Sequence, residues 1–411
     1  MLAVLAWTLY NLAVLAFGVW SLKHSRVRGL RGEGFIGVAG LPFFSIVVPV
    51  KNEEKVVGRL LDGLLRLNYP RERFEVVVVE DGSSDGTVDV CLKYVEKSGG
   101  LVRLVRKPFS EGKPSALNFG VRFARGDVVG FFDADSVPEA DVLLRASGYF
   151  ADLGVAAVQG RVLSINAGEN MLTRFVSYED AVWCEAYLRG KDVLGLFVHL
   201  RGSCMFVRRD VLEMLGGFDE KALSEDMVFS ARLVEKACRV RYASDVRAWQ
   251  ENPSSLSQLF RQRLRWFRGT MDAAFRFGRL VKRFDRAAFD AEATLAGPFI
   301  LAASLFSYAV SVYGLFACFP VDLAVAALLQ FVAFAATALF FICGLALVYV
   351  SRPWRLANLL WLPFLYFYWS LQCFIAFYAF LLNVFRRRRS WVKTEKSGRV
   401  TVDVYCGEVL C

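Results

Sequence analysis

Residues 74–87 read FEVVVVEDGSSDGT. The first six, 74–79, form a near-continuous apolar and β-branched run, the composition of a strand buried on both faces. The polar run behind it holds Gly82 and Gly86, which permit tight backbone turns. Its Asp and Ser side chains can meet a base or a ribose, and Asp85 or Ser84 also suits the cap of a helix expected over 87–97. The same pattern extends in both directions. Residues 43–50 (FFSIVVPV), 101–106 and 127–132 (DVVGFF) read as strands, whereas 53–67 and 115–124 carry helical spacing. Strands alternating with helices predict an α/β domain with a mostly parallel sheet covered on both faces.

In such a sheet ligands collect at the carboxyl ends of the strands. Three strand ends carry polar clusters: Pro49-Val50-Lys51-Asn52-Glu53, the run containing Asp81, and Asp133-Ala134-Asp135. Two carboxylates one residue apart can aim at a single hard cation, Mg2+ or Mn2+. A solvated turn before Pro138 is the plainer reading. Lys113 precedes the 115–124 helix and suits either a diphosphate or the solvent. Asp226, in Ser224-Glu225-Asp226, opens a helical run over 227–236 and is either a cap or a general base for a hydroxyl. In 261–268 (RQRLRWFR), Gln262, Arg265 and Trp266 share one helical face. They offer an amide, a guanidinium and an indole to one ligand, or else line a helix lying on an anionic membrane surface.

The whole chain has 411 residues, a formal charge of +10 and 55% hydrophobic residues, against about 45–50% for a soluble domain. Residues 1–22, 294–318, 323–350 and 356–385 contain no Asp, Glu, Lys or Arg. Each exceeds the about 20 residues that span a bilayer core. His24 and His199 are the only histidines, which argues against a His-based metal site and a Ser-His-Asp triad. Nine cysteines without a C-x-x-C pair argue against a disulfide framework. Lys23, Arg26, Arg28 and Arg31 follow the first apolar stretch and place the central domain in the cytoplasm. The expected layout is a transmembrane helix (1–22), a basic linker (23–40), a cytoplasmic domain (41–268) and an amphipathic interfacial region (269–293). A transmembrane bundle (294–385) and a basic cytoplasmic tail (386–411) follow. Basic residues on both sides of 356–385 call either for a break near Pro363 that returns the chain to the same side or for a tail on the outer side.

Taken together, these motifs resemble the family 2 inverting glycosyltransferases, and more narrowly the processive membrane synthases of cellulose, chitin, hyaluronan and poly-N-acetylglucosamine. The resemblance covers about 42–398 and rests on three Asp regions followed by Q-x-x-R-W. It implies a GT-A type nucleotide-sugar transferase domain on an α-helical membrane bundle in the plasma membrane, acting as a hexosyltransferase. Pro49, Glu53, Asp81, Lys113, Asp133, Gln262 and Arg265 would bind a UDP-sugar, with a UDP-N-acetylglucosamine-like donor favoured. Asp135 with Asp133 would hold Mg2+ or Mn2+. Asp226 would be the catalytic base, Ser224 standing where the family has Thr. Gly202, Ser203 and Trp266 would meet the acceptor, and Trp391, Thr394 and Lys396 resemble a gating loop, a reading that a tail on the outer side would exclude. The implied partners are the donor, a growing glycan or lipid-linked acceptor and the bilayer, with an accessory subunit or second copy as a further possibility and no nucleic acid. The alternatives are a non-processive enzyme glycosylating a lipid-linked or membrane glycan, and a catalytically degenerate subunit or transporter.

Overall fold

The computed structural model describes residues 2–25, 40–316, 362–387 and 396–403, with 322, 360, 408–409 and scattered positions between 324 and 344. The described chain forms two compact units. The sheet unit comprises 40–180, 197–258 and the described part of the tail; the helical unit comprises 2–25, 181–196 and the described residues from 259 to 387.

The sheet unit holds eight strands: β1 (Phe44–Val50), β2 (Phe74–Glu80), β3 (Val102–Arg106), β4 (Val128–Phe131), β5 (Val137–Pro138), β6 (Val155–Ser164), β7 (Met205–Arg208) and β8 (Arg239–Gln250). Their order is β3-β2-β1-β4-β7-β6-β8-β5. The first four are mutually parallel, with Val50 opposite Glu80 and Phe44 opposite Val128. Every residue of β2 is buried. Alternate side chains feed two cores. Ile46, Val48, Val76 and Val78 pack with Leu60, Leu61 and Leu64 of the helix Val57–Leu65. Val47, Val77 and Val79 pack with Leu117, Phe229 and Leu233 on the other face. Each fully buried Val or Leu contributes about 1.5–3 kcal/mol.

The second half corrects the expectation of a mostly parallel sheet. β7 runs antiparallel to both β4 and β6, and β5 antiparallel to β8, while β6 and β8 pair in parallel. The sheet is therefore mixed. Strand direction leaves no trace in a side-chain period of two, so the sequence pattern is blind to it.

Two helix boundaries shift with consequence. The helix expected at 115–124 is Lys113–Val121, with Pro114 in its first turn. Proline is pre-organised for that position, so Lys113 becomes the first helical residue. The helix expected from Glu53 starts at Val57, because Asn52 has φ 55° and the Glu53 carbonyl accepts the Val56 and Val57 N–H groups in a tight turn.

In the helical unit, Leu2–Leu22 and Pro363–Val384 are long and apolar enough to cross a membrane. The helices Arg286–Leu295 and Gly297–Phe306 bend by 45° at their junction and would add one broken span. Pro363 stands in the first turn of the helix Leu362–Val384 and does not interrupt it. Most of the apolar stretch 323–350 lies outside the described residues. The region expected as one amphipathic segment, 269–293, is the end of the helix Leu256–Phe277, a short turn and most of Arg286–Leu295. Asp290 there is fully buried, 3.0 Å from the equally buried Lys191 ammonium, and Tyr10 Oη donates to it at 2.9 Å. The amino-terminal helix Leu2–Ser25 packs backbone to backbone on 181–196. A Cβ on Gly18 would overlap the Ala186 carbonyl, and one on Gly190 the Val14 carbonyl.

Candidate active site

The carboxyl ends of β1, β2 and β4 meet in the sheet unit, as parallel pairing requires. Pro49 lies in β1 just past the point where the β4 ladder ends at Val47, so its missing N–H costs no ladder bond. Glu53 follows in the turn, its N–H donating to Thr87 Oγ1 at 2.7 Å. The N-cap of the helix Thr87–Lys97 is Gly86, not Ser84 or Asp85; Asp85 lies just before it and accepts the Thr87 N–H at 3.0 Å in a local turn. Asp81 ends β2 in a nest of donors: Ser110 Oγ at 3.0 Å, Gly112 N at 3.1 Å and the buried Lys107 ammonium at 3.4 Å.

Asp133 and Asp135 follow β4 in a turn closed by the Ser136 N–H to the Asp133 carbonyl, 2.9 Å. Gln250, the last residue of β8, donates its amide to both, at 3.0 Å to Asp133 Oδ2 and 3.0 Å to Asp135 Oδ1. The Lys113 ammonium sits 2.6 Å from Asp133 Oδ1 and 3.4 Å from Glu225 Oε1, and donates to the Gly202 carbonyl at 3.2 Å. An ideal Cβ on Gly202 would lie 3.2 Å from both Asp226 Oδ2 and Lys113 Nζ. Gly202, at φ +77°, therefore stands close against an ammonium and a carboxylate that any side chain there would crowd. Burial presses the Lys113 pKa down, but Asp133 and Glu225, with Asp226 behind them, hold it well above the usual lysine range. Burial likewise pushes Asp135 up, and the Lys396 ammonium with the Gln250 and Glu251 hydrogen bonds brings it below the usual carboxylate range.

The 202–204 loop is held from beneath. Ser203 Oγ accepts the Asp133 N–H at 3.1 Å and bonds Ser136 Oγ at 2.8 Å. Fully buried Gln159 donates to the Ser203 carbonyl at 3.1 Å and accepts the Arg201 N–H at 2.7 Å. Asp226 lies in the first turn of the helix Glu225–Glu235. Ser230, one turn on, donates to the Asp226 carbonyl at 2.7 Å and accepts the Leu200 N–H at 2.8 Å, tying that helix to the loop. Asn118, on the Lys113 helix, accepts the Phe218 N–H at 2.8 Å and donates to its carbonyl at 2.9 Å.

Gln250, Glu251 and Gln159 are absent from the sequence reading. A polar cluster at a strand end would have flagged the first two. However, β8 interleaves Arg239, Arg241, Asp245 and Arg247 with its apolar residues and does not read as a strand. Gln262, Arg265 and Trp266 lie in the helical unit on Leu256–Phe277, where the neighbouring Arg263 guanidinium stands 4.4 Å from the Trp266 ring and reaches Tyr368 Oη at 3.4 Å. Trp391 and Thr394 lie outside the described residues; Lys396 is within them, 2.7 Å from Asp135 Oδ2.

Among the described residues no three His, Cys, Asp or Glu side chains converge on one point. The pair Asp133 and Asp135 nonetheless fits a hard cation. It is an all-oxygen set, it is pre-aligned by Gln250, and Asp135 already faces a positive charge. One or two carboxylates completed by substrate phosphates is how Mg2+ is usually held.

Residues 42–269 match the family model described as Glycosyltransferase like family 2, more than half the chain, and the chain belongs to that family. It is 34% identical over 240 residues to the probable glycosyltransferase YdaM of Bacillus subtilis, covering 58% of this chain and 57% of that protein. It is 32% identical over 232 residues to the beta-monoglucosyldiacylglycerol synthase of Trichormus variabilis, covering 56% and 49%. Identity to the poly-beta-1,6-N-acetyl-D-glucosamine synthase of Staphylococcus aureus is 26% over 242 residues, covering 59% and 58%. The chain thus spans about half the length of the curated relatives it matches. The mannosyltransferase PcManGT of Pyrobaculum calidifontis, solved with GDP-Man and Mn2+, superposes with a TM-score of 0.58 at 22% identity, over 94% of this chain and all of that one. The mixed sheet is accordingly a GT-A-like glycosyltransferase fold.

Proposed function

We propose that the chain transfers a sugar, with inversion, from a nucleoside diphosphate sugar to a hydroxyl acceptor at a membrane. The observation that carries this reading is the convergence of Asp226, Lys113 and Asp133 around Gly202. Asp226 there takes the proton of the acceptor hydroxyl. The freed oxygen attacks the anomeric carbon as the bond to the diphosphate breaks, so an α-linked donor yields a β-linked product. Lys113 faces the charge that develops on the leaving diphosphate. Asp133 and Asp135 would hold a divalent cation, which supplies Lewis-acid charge to the same phosphates. Pro49, Glu53 and Asp81 line the nucleoside end of the site.

The acceptor admits two readings. Gln262, Arg265 and Trp266 in Q-x-x-R-W favour successive addition to a growing glycan that the apolar helices would carry across the membrane. The named activity of the 32% identical Trichormus relative favours addition of one sugar to a lipid. The apolar spans and the basic residues after the first of them support a plasma-membrane protein with its sheet unit in the cytoplasm. Purified protein in lipid, with Mg2+ or Mn2+ and a panel of labelled UDP- and GDP-sugars, tests all of this. Release of nucleoside diphosphate with a ladder of products supports polymerisation, and a single product that partitions with lipid supports the second reading. Asp226→Asn is expected to keep donor binding and to lose about 10²–10⁴ in transfer rate; near wild-type transfer by that variant overturns the base assignment.

A further inference from the structure

The described tail segment 396–401 lies on the site with more hydrogen bonds than its exposed sequence suggests. Buried Glu251 accepts the Ser397 N–H at 2.6 Å, the Ser397 hydroxyl at 2.8 Å and the Gly398 N–H at 3.0 Å. The Glu251 carbonyl accepts the Lys396 ammonium at 2.7 Å. Gly398 sits at φ +77°, and a Cβ there would press on the Lys55 carbonyl at 3.3 Å. Farther along, the Thr401 N–H donates to the Ile165 carbonyl at 2.9 Å, and Thr401 Oγ1 accepts the Gly168 N–H at 3.0 Å. This clasp delivers Lys396 Nζ to 2.7 Å from Asp135 Oδ2.

We propose that Lys396 is a tethered counter-ion that competes with the divalent cation of the donor for Asp135, and that Glu251 is the positioning residue that seats it. The proposal rests on reading Asp133 and Asp135 as the cation site. An ammonium and a divalent cation repel each other, and both need the same carboxylate oxygen. Loading of the cation and undocking of 396–398 are therefore linked, and linkage is reciprocal: the factor by which the docked clasp weakens cation binding is the factor by which bound cation weakens docking. Glu251 gives the test its direction. Removing a carboxylate near a cation site ordinarily weakens cation binding; here it releases the competitor.

The experiment uses the full chain in lipid nanodiscs, with free Mn2+ read by electron paramagnetic resonance in the absence of nucleotide. Glu251→Gln and Lys396→Met are each expected to bind Mn2+ about tenfold more tightly than wild type. In wild type, hydrogen exchange at Ser397 and Gly398 is expected to rise on adding Mn2+ with UDP; in Glu251→Gln it is already high. Weaker or unchanged Mn2+ binding by Glu251→Gln overturns the proposal, as does exchange in wild type that ignores Mn2+ and UDP. Asp135→Asn separates the two levels. If it weakens Mn2+ binding while Lys396→Met leaves it unchanged, the cation site stands and the competition falls. If no variant binds Mn2+ and neither does wild type, the cation reading falls and takes the competition with it.

Discussion

Lys113 answers to three carboxylates at once: Asp133, Glu225 and, beside Gly202, Asp226. The cluster is partly buried, and removing the Lys113 ammonium leaves those negative charges uncompensated. Lys113→Met is therefore expected to lower both the melting temperature and kcat/KM, the latter by at least about a hundredfold, an effect of the size that single electrostatic groups supply in such sites. Lys113→Arg keeps the charge but not its compact geometry, so it should recover the melting temperature more fully than the activity. Thermal melts and steady-state kinetics on the same preparations check the pair. At this scale the sequence was legible in part. Asp81, Asp133, Asp135, Lys113 and Asp226 each stand at a strand end or helix start that the pattern of apolar runs exposes. The groups that aim them, Gln159, Ser230 and Gln250, come from distant parts of the chain and carry no local signal.

At the scale of elements, β1, β2 and β4 were readable because strands buried on both faces are written as unbroken apolar runs, and the edge strand β3 still keeps three apolar residues alongside its two arginines. β7 and β8 were not, since the first runs straight into the charged start of the helix Arg209–Leu215 and the second alternates charges with its apolar residues. Glu75 shows how such a sheet tolerates a buried charge. It accepts hydrogen bonds from Ser45 Oγ at 2.6 Å, from the Arg125 N–H at 2.8 Å and from Arg103 Nη2 at 2.7 Å. Burial alone would raise its pKa; the bonds from Ser45 and Arg125 and the Arg103 charge outweigh it and hold the carboxyl below its ordinary value. A folded pKa below the unfolded one gives a contribution that is complete above the ordinary glutamate range. It is lost as the pH falls through the folded value. Glu75→Gln should melt at a lower temperature than wild type near pH 7, and the difference should shrink as the medium is acidified. Melting curves across that range decide it.

The helical unit is joined by its own polar pin. Lys191 on one segment and Asp290 on another form a fully buried pair, to which half-buried Tyr10 on the amino-terminal helix donates. Lys191→Met strands the Asp290 carboxylate and is expected to destabilise the unit by about 3–5 kcal/mol, whereas replacing Lys191 and Asp290 together by apolar residues should recover most of that. Retention of the unit through detergent melting, read by Trp fluorescence, tests the contrast.

The contact of Gly18 and Gly190 with opposing carbonyls gives the amino-terminal helix a role that its hydropathy conceals. A leader that merely holds a protein at a bilayer is interchangeable with any other of the same length. This one is a keyed part, fitted to its neighbour by a missing side chain on each partner and by the hydroxyl of half-buried Tyr10. Exchange of residues 2–22 for a polyleucine segment should leave membrane partitioning intact and lose the fold of the helical unit, and Gly18→Leu alone should do much of the same damage.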